Sequence, residues 1–323
     1  MALLQMIKKA VPEFSEQASL VASNYGGKKW YWLVSMFWCL VRYGARPIDY
    51  VRFEFYKKSG KERNRYLTIF RYFDMQKKFG AGFDGVSGKK QIYQTFHEFI
   101  GREWMELSKE TPLNEIESFI NKFGTVIAKP VGGEQGKGVM KIHLNDKSNM
   151  AKLISNCQNT DYIVEEMITN ESSIDAINPT SLNTVRVYTV LQRNGKARIL
   201  GVMLRVGRKG NHVDNWGSGG IGFNFDVETG ICVGYGRDKQ NRPFIFHPDS
   251  QIQMIGFHLP HYDELKHYVM RLSKVCPQAR FVGWDIAITP KGFDLVEMNC
   301  PGGHDFLQAF GEPFGEVLNR ELN

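Results

Sequence analysis

Apolar and polar positions alternate along most of the second half of the chain, and the period of two marks strands. In GWDIAITPKGFDLVEMN (283–299) the alternation runs on both sides of Pro290-Lys291-Gly292, which predicts a hairpin. In TVIAKPVGGEQGKGVMKI (125–142) one strand ends at Lys129, a glycine-rich turn covers 132–138, and a second strand begins near Val139. The run Asp161-Tyr-Ile-Val-Glu-Glu-Met-Ile168 predicts a short buried strand with a polar end, and SLNTVRVYTVL (181–191) and ARILGVMLRV (197–206) predict two longer ones. Helical spacing appears over 147–155 and, after Pro260, over 262–275. Trp30 to Val41 is apolar all round for twelve residues, too short to span a bilayer, and predicts a buried helix. No internal repeat, low-complexity tract or long linker interrupts this α+β pattern.

Candidate chemistry falls on the strand ends. Asp285 and Glu297 would converge across the last hairpin, and Asn299 adds a neutral oxygen. An oxygen-only set of this kind suits Mg²⁺ held partly by protein and partly by polyphosphate. A solvated hairpin would carry the same acids, so other groups must bear on the assignment. The turn from Gly132 to Gly138 allows backbone N–H groups to approach phosphate, and Lys129 and Lys137 supply point charges. The spacing excludes a Walker loop, because three residues separate Gly132 from Gly136 and Gly138 follows Lys137. A dinucleotide fingerprint fails too, since Lys141 stands at its last glycine and a strand follows instead of a helix. By itself Glu165-Glu166 reads as a solvated strand end, although such an edge can also meet adenine through its backbone. Arg186 within a strand and Arg205 at a strand end need anions if buried.

In this order the motifs resemble the ATP-grasp superfamily, over roughly residues 90–310. The resemblance implies an α+β fold in which two subdomains grip ATP. It implies that Lys90 (or Lys89) and Lys129 bind the nucleotide, and that a flap including Gly132, Gly133, Gln135, Gly136, Lys137 and Gly138 closes over its phosphates. Glu165, Glu166, Met167 and Ile168 would line adenine, and Asp285, Glu297 and Asn299 would hold Mg²⁺. Arg205 and Asn215, before Gly219-Gly220, are similar to residues that contact the transferred phosphoryl group in ribosomal-protein glutamate ligases. Asn178-Pro179 and Asn183-Thr184-Val185-Arg186-Val187 resemble the sugar-transfer-associated ATP-grasp group, whose name indicates a setting in surface-polysaccharide biosynthesis. D-alanine:D-alanine ligases carry an arginine two residues before the first metal aspartate. Here Gly283 stands there, so the charge must come from Arg205 or Arg186. The ribose-binding acid is Glu171 or Asp175. The implied reaction joins a carboxylate to an amine through an acyl phosphate; a kinase acting on a hydroxyl and a nucleotide-binding regulator are the alternatives.

Charge divides the chain unevenly. Residues 1–85 hold 15 Lys and Arg against 7 Asp and Glu, so this segment carries +8 of a total of +7 and the rest carries −1. It also holds 18 of the 41 aromatic residues. The expected organisation is therefore a basic, aromatic-rich, mainly helical module over 1–85, a flap subdomain over 86–169 and a metal-binding subdomain over 170–323. Lys28, Lys29, Arg42 and Arg46 flank the apolar run as interfacial anchors would, which makes peripheral membrane contact through 28–46 the alternative to burial. No nucleic-acid motif accompanies the charge, and no nucleic-acid partner is expected. Five scattered cysteines argue against a disulfide framework, and the first twenty residues do not read as a secretory signal, so a cytoplasmic setting is expected. His258, His261 and His267 lack a metal-binding pattern, and Cys300 reads as a packed thiol. Gly302-Gly303-His304-Asp305 and the loop over 207–220, with Arg208, Lys209 and His212, are expected to border the acceptor pocket. Its basic charge favours an acidic or sugar-linked carboxylate.

Overall fold

The computed structural model describes residues 2–79, 88–132, 138–143, 145–209, 216 and 219–323. The seven predicted strands, joined by four that the alternation did not mark (Trp104–Leu107, Ile221–Phe225, Gly236–Arg237 and Pro243–Phe244), form two antiparallel sheets. One contains β1 (Trp104–Leu107), β2 (Thr125–Pro130), β3 (Met140–His143) and β4 (Tyr162–Glu166) in the order β1-β4-β2-β3. The other contains β5 (Thr184–Leu191), β6 (Ala197–Val206), β7 (Ile221–Phe225), β8 (Gly236–Arg237), β9 (Pro243–Phe244), β10 (Phe281–Thr289) and β11 (Gly292–Asn299), in the order β11-β10-β5-β6-β7-β8-β9.

Alternation assigns the faces of the smaller sheet. Leu107, Val126, Ala128, Tyr162 and Val164 point to one side, where they pack with Ile116 and Ile120 of α7 (Leu113–Phe123) and Leu153 of α8 (Lys147–Asn156). The opposite side therefore carries Glu106, Lys129 and Glu165: Glu106 and Lys129 both lie across from Ile163, and Glu165 lies across from Trp104 and Ile127.

In the larger sheet β5 is buried along its whole length. Val185 and Val187 join the core covered by Leu265, Val269 and Leu272 of α10 (Tyr262–Leu272). Tyr188 and Val190 join a second core on the other face with Phe281, Leu67, Tyr72 and residues of α11 (Gly315–Leu322). The helix expected to reach residue 275 stops at Leu272, where Ser273 caps it ahead of Pro277. A short helix, α9 (Ser172–Asp175), lies between the sheets in sequence.

The basic segment is helical, with α1 (Ala2–Tyr25), α2 (Lys29–Tyr43), α3 (Pro47–Arg52), α4 (Gly60–Asn64), α5 (Ile69–Phe79) and, nearer β1, α6 (Lys89–Thr95). Its core is largely aromatic, with Tyr43, Tyr50, Phe53, Phe55 and Tyr66 around Met36 and Cys39. It joins the face of the larger sheet that carries Tyr188. The side chain of Gln308 accepts from Leu67 N at 2.8 Å and donates to Leu67 O at 2.9 Å. Gly315 allows the chains to meet there, since a Cβ would come within 2.9 Å of Arg65 O and Leu67 N.

One expectation is corrected. The apolar helix over 30–41 is not buried: only Met36, Cys39 and Tyr43 of α2 are, while Trp30, Tyr31, Val34, Phe37, Trp38 and Val41 are exposed. A module with one layer of neighbours can cover one face of a helix, and α1 and α3 cover only that face. Gly44, at φ 65°, ends α2 with the left-handed turn that a residue lacking Cβ adopts without strain, and Ala45 N then reaches back to Cys39 O at 3.3 Å.

Candidate functional site

Register brings the charged residues of the larger sheet into a row. Asp285 on β10 lies opposite Arg186 on β5 and opposite Glu297 on β11, and Gly283 lies opposite Asn299. Directly opposed residues of antiparallel strands share a face, so Arg186, Asp285, Glu297 and Asn299 converge there. Arg205 reaches the same point from β6, where it lies opposite Thr184.

Asp285 is fully buried between two cations. Arg186 grips it with both nitrogens, Nη2 to Oδ2 at 2.8 Å and Nε to Oδ1, and Arg205 Nη2 stands 3.1 Å from Oδ2. Burial pushes the carboxyl upward, but the Arg186 and Arg205 guanidiniums outweigh it and hold Asp285 below the usual carboxylate range. Arg205 also donates to Thr184 Oγ1 from Nε at 3.1 Å and from Nη2 at 2.9 Å. Arg186 and Arg205, the two candidates for the charge that Gly283 lacks, both reach Asp285. A Cβ on Gly283 would meet Arg186 Cδ at 3.1 Å, so the glycine leaves room for the Arg186 stem.

Glu297 is the most exposed residue of the row, with its carboxyl set among the charges of Asp285, Arg186, Arg205 and Lys129. Desolvation and then the negative charge of Asp285 push its carboxyl upward, against Arg186, Arg205 and Lys129, and the net shift is up. Such a pair of carboxylates gains from a cation between them. Asn299 Nδ2 points toward Gly283 O and Asp285 Oδ2, each at 3.4 Å, which leaves its Oδ1 for another partner. Among the described residues no group of three or more His, Cys, Asp or Glu could hold a metal by itself. The donor types present, two carboxylates and an amide oxygen, suit a hard cation that takes its remaining oxygens from a ligand, and Asp285 would join them by exchanging an arginine contact for the cation.

The smaller sheet faces this row with Lys129, whose Nζ is paired with Glu165. Glu165 is not the solvated strand end its polarity suggested; it is buried within a cluster that sequence reasoning missed. Arg102 Nε donates to Glu165 Oε2 at 2.7 Å, Arg102 Nη2 donates to Tyr93 OH at 2.7 Å, and Tyr93 OH donates to Glu165. Arg102 Nη1 crosses to the larger sheet, where it pairs with Asp294 Oδ1 and donates to Leu295 O at 2.9 Å. Burial would raise Glu165, but Lys129 and Arg102 bring it down to about 2. Asp294 reaches the same face as Glu297, three positions away, because the register slips between Asp285 and Ile286. The resulting bulge at β11 resets the alternation. The available signals were an acid in an apolar strand (FDLV) and a lone Arg just before β1.

The remaining expected residues fall as follows. Lys90 pairs with Glu106, across the same face of the smaller sheet as Lys129. Glu166 is held at the strand end, its N–H donating to Glu103 O at 2.9 Å, and the chain then leaves the sheet through exposed Met167 and half-buried Ile168. Gly132 and Gly138 are among the described residues; Gly133, Gln135, Gly136, Lys137, His212 and Asn215 lie outside them. Glu171 caps α9, accepting from Ser173 N at 2.9 Å. Arg208 pairs with buried Asp238 at 2.9 Å. His304 and Asp305 meet the N-terminal helices: His304 Nε2 lies 3.3 Å from Asp49 Oδ1, and Arg52 pairs with Asp305.

The sequence pattern of the sugar-transfer associated ATP-grasp family matches residues 88–313. Among solved structures, the ATP-grasp ligase PsnB, complexed with minimal precursor, Mg and ADP, is 14% identical, with 72% of this chain and 57% of that chain covered and a TM-score of 0.42. D-alanyl-alanine synthetase A from Vibrio cholerae is 16% identical, with 72% and 61% covered and a TM-score of 0.46. N5-carboxyaminoimidazole synthetase from Staphylococcus aureus, complexed with ADP, is 12% identical, with 68% and 46% covered and a TM-score of 0.42. The matched region thus spans less than two thirds of each of these proteins. No curated protein sequence matches the chain.

Proposed function

The chain belongs to the sugar-transfer-associated ATP-grasp family, whose pattern extends over most of its length, and from that premise we propose that it is an ATP- and Mg²⁺-dependent carboxylate–amine ligase. The observation that carries this reading is the row of Arg186, Arg205, Asp285 and Glu297 on one sheet, with the charge of Lys129 from the other sheet acting on Glu297. The proposed division is a helical module over 1–85, a flap subdomain over 86–169 and a metal-binding subdomain over 170–323.

In this reading a substrate carboxylate oxygen attacks the γ-phosphorus of ATP, ADP departs, and an acyl phosphate forms. An amine nitrogen then attacks the acyl carbon, the C–O bond to phosphate breaks, and the nitrogen loses a proton. Lys129 and Lys90 bind nucleotide phosphates once released from Glu165 and Glu106. The flap at 132–138 excludes water, and Glu165, Glu166, Met167 and Ile168 border the adenine. Asp285, Glu297 and Asn299 hold Mg²⁺, which when bound offsets charge on the phosphate oxygens. Arg186 and Arg205, with Asn215 as a further expected contact, meet the charge that develops on the transferring group. Their contacts with Asp285 hold both guanidiniums beside the site before that charge develops. A surface-polysaccharide or related biosynthetic setting, with a sugar-linked or anionic carboxylate as acceptor, is part of the proposal.

Release of ADP and free phosphate from ATP and Mg²⁺, followed across amino acids and sugar acids, tests the reaction. Amine-dependent release of both is expected, whereas ADP without free phosphate would replace the ligase with a kinase. Arg205→Ala should lower turnover about 10²-fold, as loss of a preorganised donor does. A turnover within a factor of about two of wild type would remove Arg205 from phosphoryl transfer.

A further inference from the structure

The outward face of α2 is apolar without being covered. Trp30, Tyr31, Val34, Phe37, Trp38 and Val41 are between 53% and 68% exposed. At about 100° per residue they fill one arc of roughly 120°. Phe70 and Phe73 of α5 are also exposed, and Phe70 extends the patch past the end of the helix, because its Cβ would lie 3.0 Å from a Cβ on Gly44. Six large side chains open to this degree amount to several hundred Å², on the order of the largest patch a monomer ordinarily carries.

Charge limits what can cover this face. From Gln17 to Ile48 the chain contains no Asp or Glu, while Lys28, Lys29, Arg42 and Arg46 lie within that span. Lys28, Lys29 and Arg42 are exposed at the ends of α2, and the Arg42 guanidinium lies 5.6 Å from the centre of the Tyr43 ring. Arg46 is already paired with Glu13 at 3.3 Å. A second copy docking through the same face would set cations against cations, within modules that each carry +8. An anionic bilayer matches both properties: tryptophan and tyrosine settle at the headgroup boundary, and lysine and arginine reach lipid phosphates from the helix ends. No described helix is long and apolar enough to cross a membrane. With 15 residues, α2 measures only about 22 Å against a hydrocarbon core of about 30 Å. We propose that α2 lies in the plane of an anionic membrane surface and docks the protein there through Trp30, Val34, Phe37, Trp38 and Val41. This proposal is independent of the reading of the site between the sheets.

Co-sedimentation of the full chain with phosphatidylcholine vesicles, with and without phosphatidylglycerol, tests it. Binding is expected to the phosphatidylglycerol vesicles, with a marked loss at raised salt. The double variant Phe37→Ser/Trp38→Ser should bind about tenfold or more weakly, and Lys28→Glu/Arg42→Glu should lose the preference for anionic lipid. Because these positions are exposed, both variants should melt like wild type; Trp30→Ser/Val41→Ser provides a second apolar variant if the first does not. Absence of vesicle binding overturns the proposal, as does equal binding to both vesicle types. A concentration-dependent dimer that forms without vesicle binding, and that Phe37→Ser/Trp38→Ser dissolves, would assign the face to a second copy instead.

Discussion

Replacing Glu297 by Gln should lower ATP turnover by about 10³-fold or more while leaving the fold at least as stable in the absence of Mg²⁺. Gln keeps the shape and the strand, so β11 retains its pairing with β10. What it lacks is the charge of Glu297, the more exposed of the two carboxylates in the set. Metal stabilisation of phosphoryl oxygens is worth several kcal/mol, and about 4 kcal/mol corresponds to about 10³ in rate. The stability arm has the opposite sign. Desolvation and Asp285 raise the Glu297 carboxyl, so its ionised form is disfavoured in the folded chain. That penalty is absent below the ordinary carboxylate range and develops fully once pH passes the raised value. The Gln variant should therefore melt at or above the wild-type temperature at neutral pH, and the difference should vanish in acid. ADP release and metal-free thermal melts of both proteins check this. Near wild-type turnover would end the metal assignment; a collapsed melt would mean the lost turnover reports unfolding.

The largest structural effect is expected at Arg102. Arg102→Met leaves Glu165 and Asp294 buried with fewer counter-charges, and breaking a buried ion network from one side costs about 3–5 kcal/mol. The pH dependence follows from the shifts. Glu165 is held at about 2, so its contribution to stability is complete above the ordinary carboxylate range and is lost as pH falls toward that value. Burial raises Asp294 even though Arg102 opposes it, and without Arg102 its carboxyl rises further. The deficit of the variant should thus be greatest near neutral pH and shrink on acidification, as both acids take up protons. Adding Glu165→Gln and Asp294→Asn should recover part of the loss at neutral pH, because the uncompensated charges disappear. Urea denaturation at neutral and acid pH measures all three proteins. A neutral-pH loss below about 1 kcal/mol, in the range of surface ion pairs, would mean that Arg102 does not clasp the sheets.

Much of the site could be read from one dimension because its residues lie on regular strands. A period of two and a turn are enough to bring Asp285 near Glu297, and alternation on either side of a glycine-rich run is enough to place Lys129 near the end of one strand and a second strand after it. Glu165 shows where this stops. Its neighbours in sequence are apolar on one side and acidic on the other, so polarity alone suggested water. Its actual surroundings are Arg102, Lys129 and Tyr93, which are 63, 36 and 72 positions away.

The sequence by itself determined seven of the eleven described strands, the motifs at their ends, and the concentration of charge and aromatic residues before residue 85, because these depend on local period and composition. Tertiary structure alone decided the rest. The register slip beside Asp285 turned Asp294 toward Glu297's face, the space over Gly283 admitted Arg186, and the thin layer around α2 left its aromatic stripe open. Each depends on which distant segment lies across from a given residue, and the intrinsic pattern of a strand or helix specifies a face without specifying what covers it.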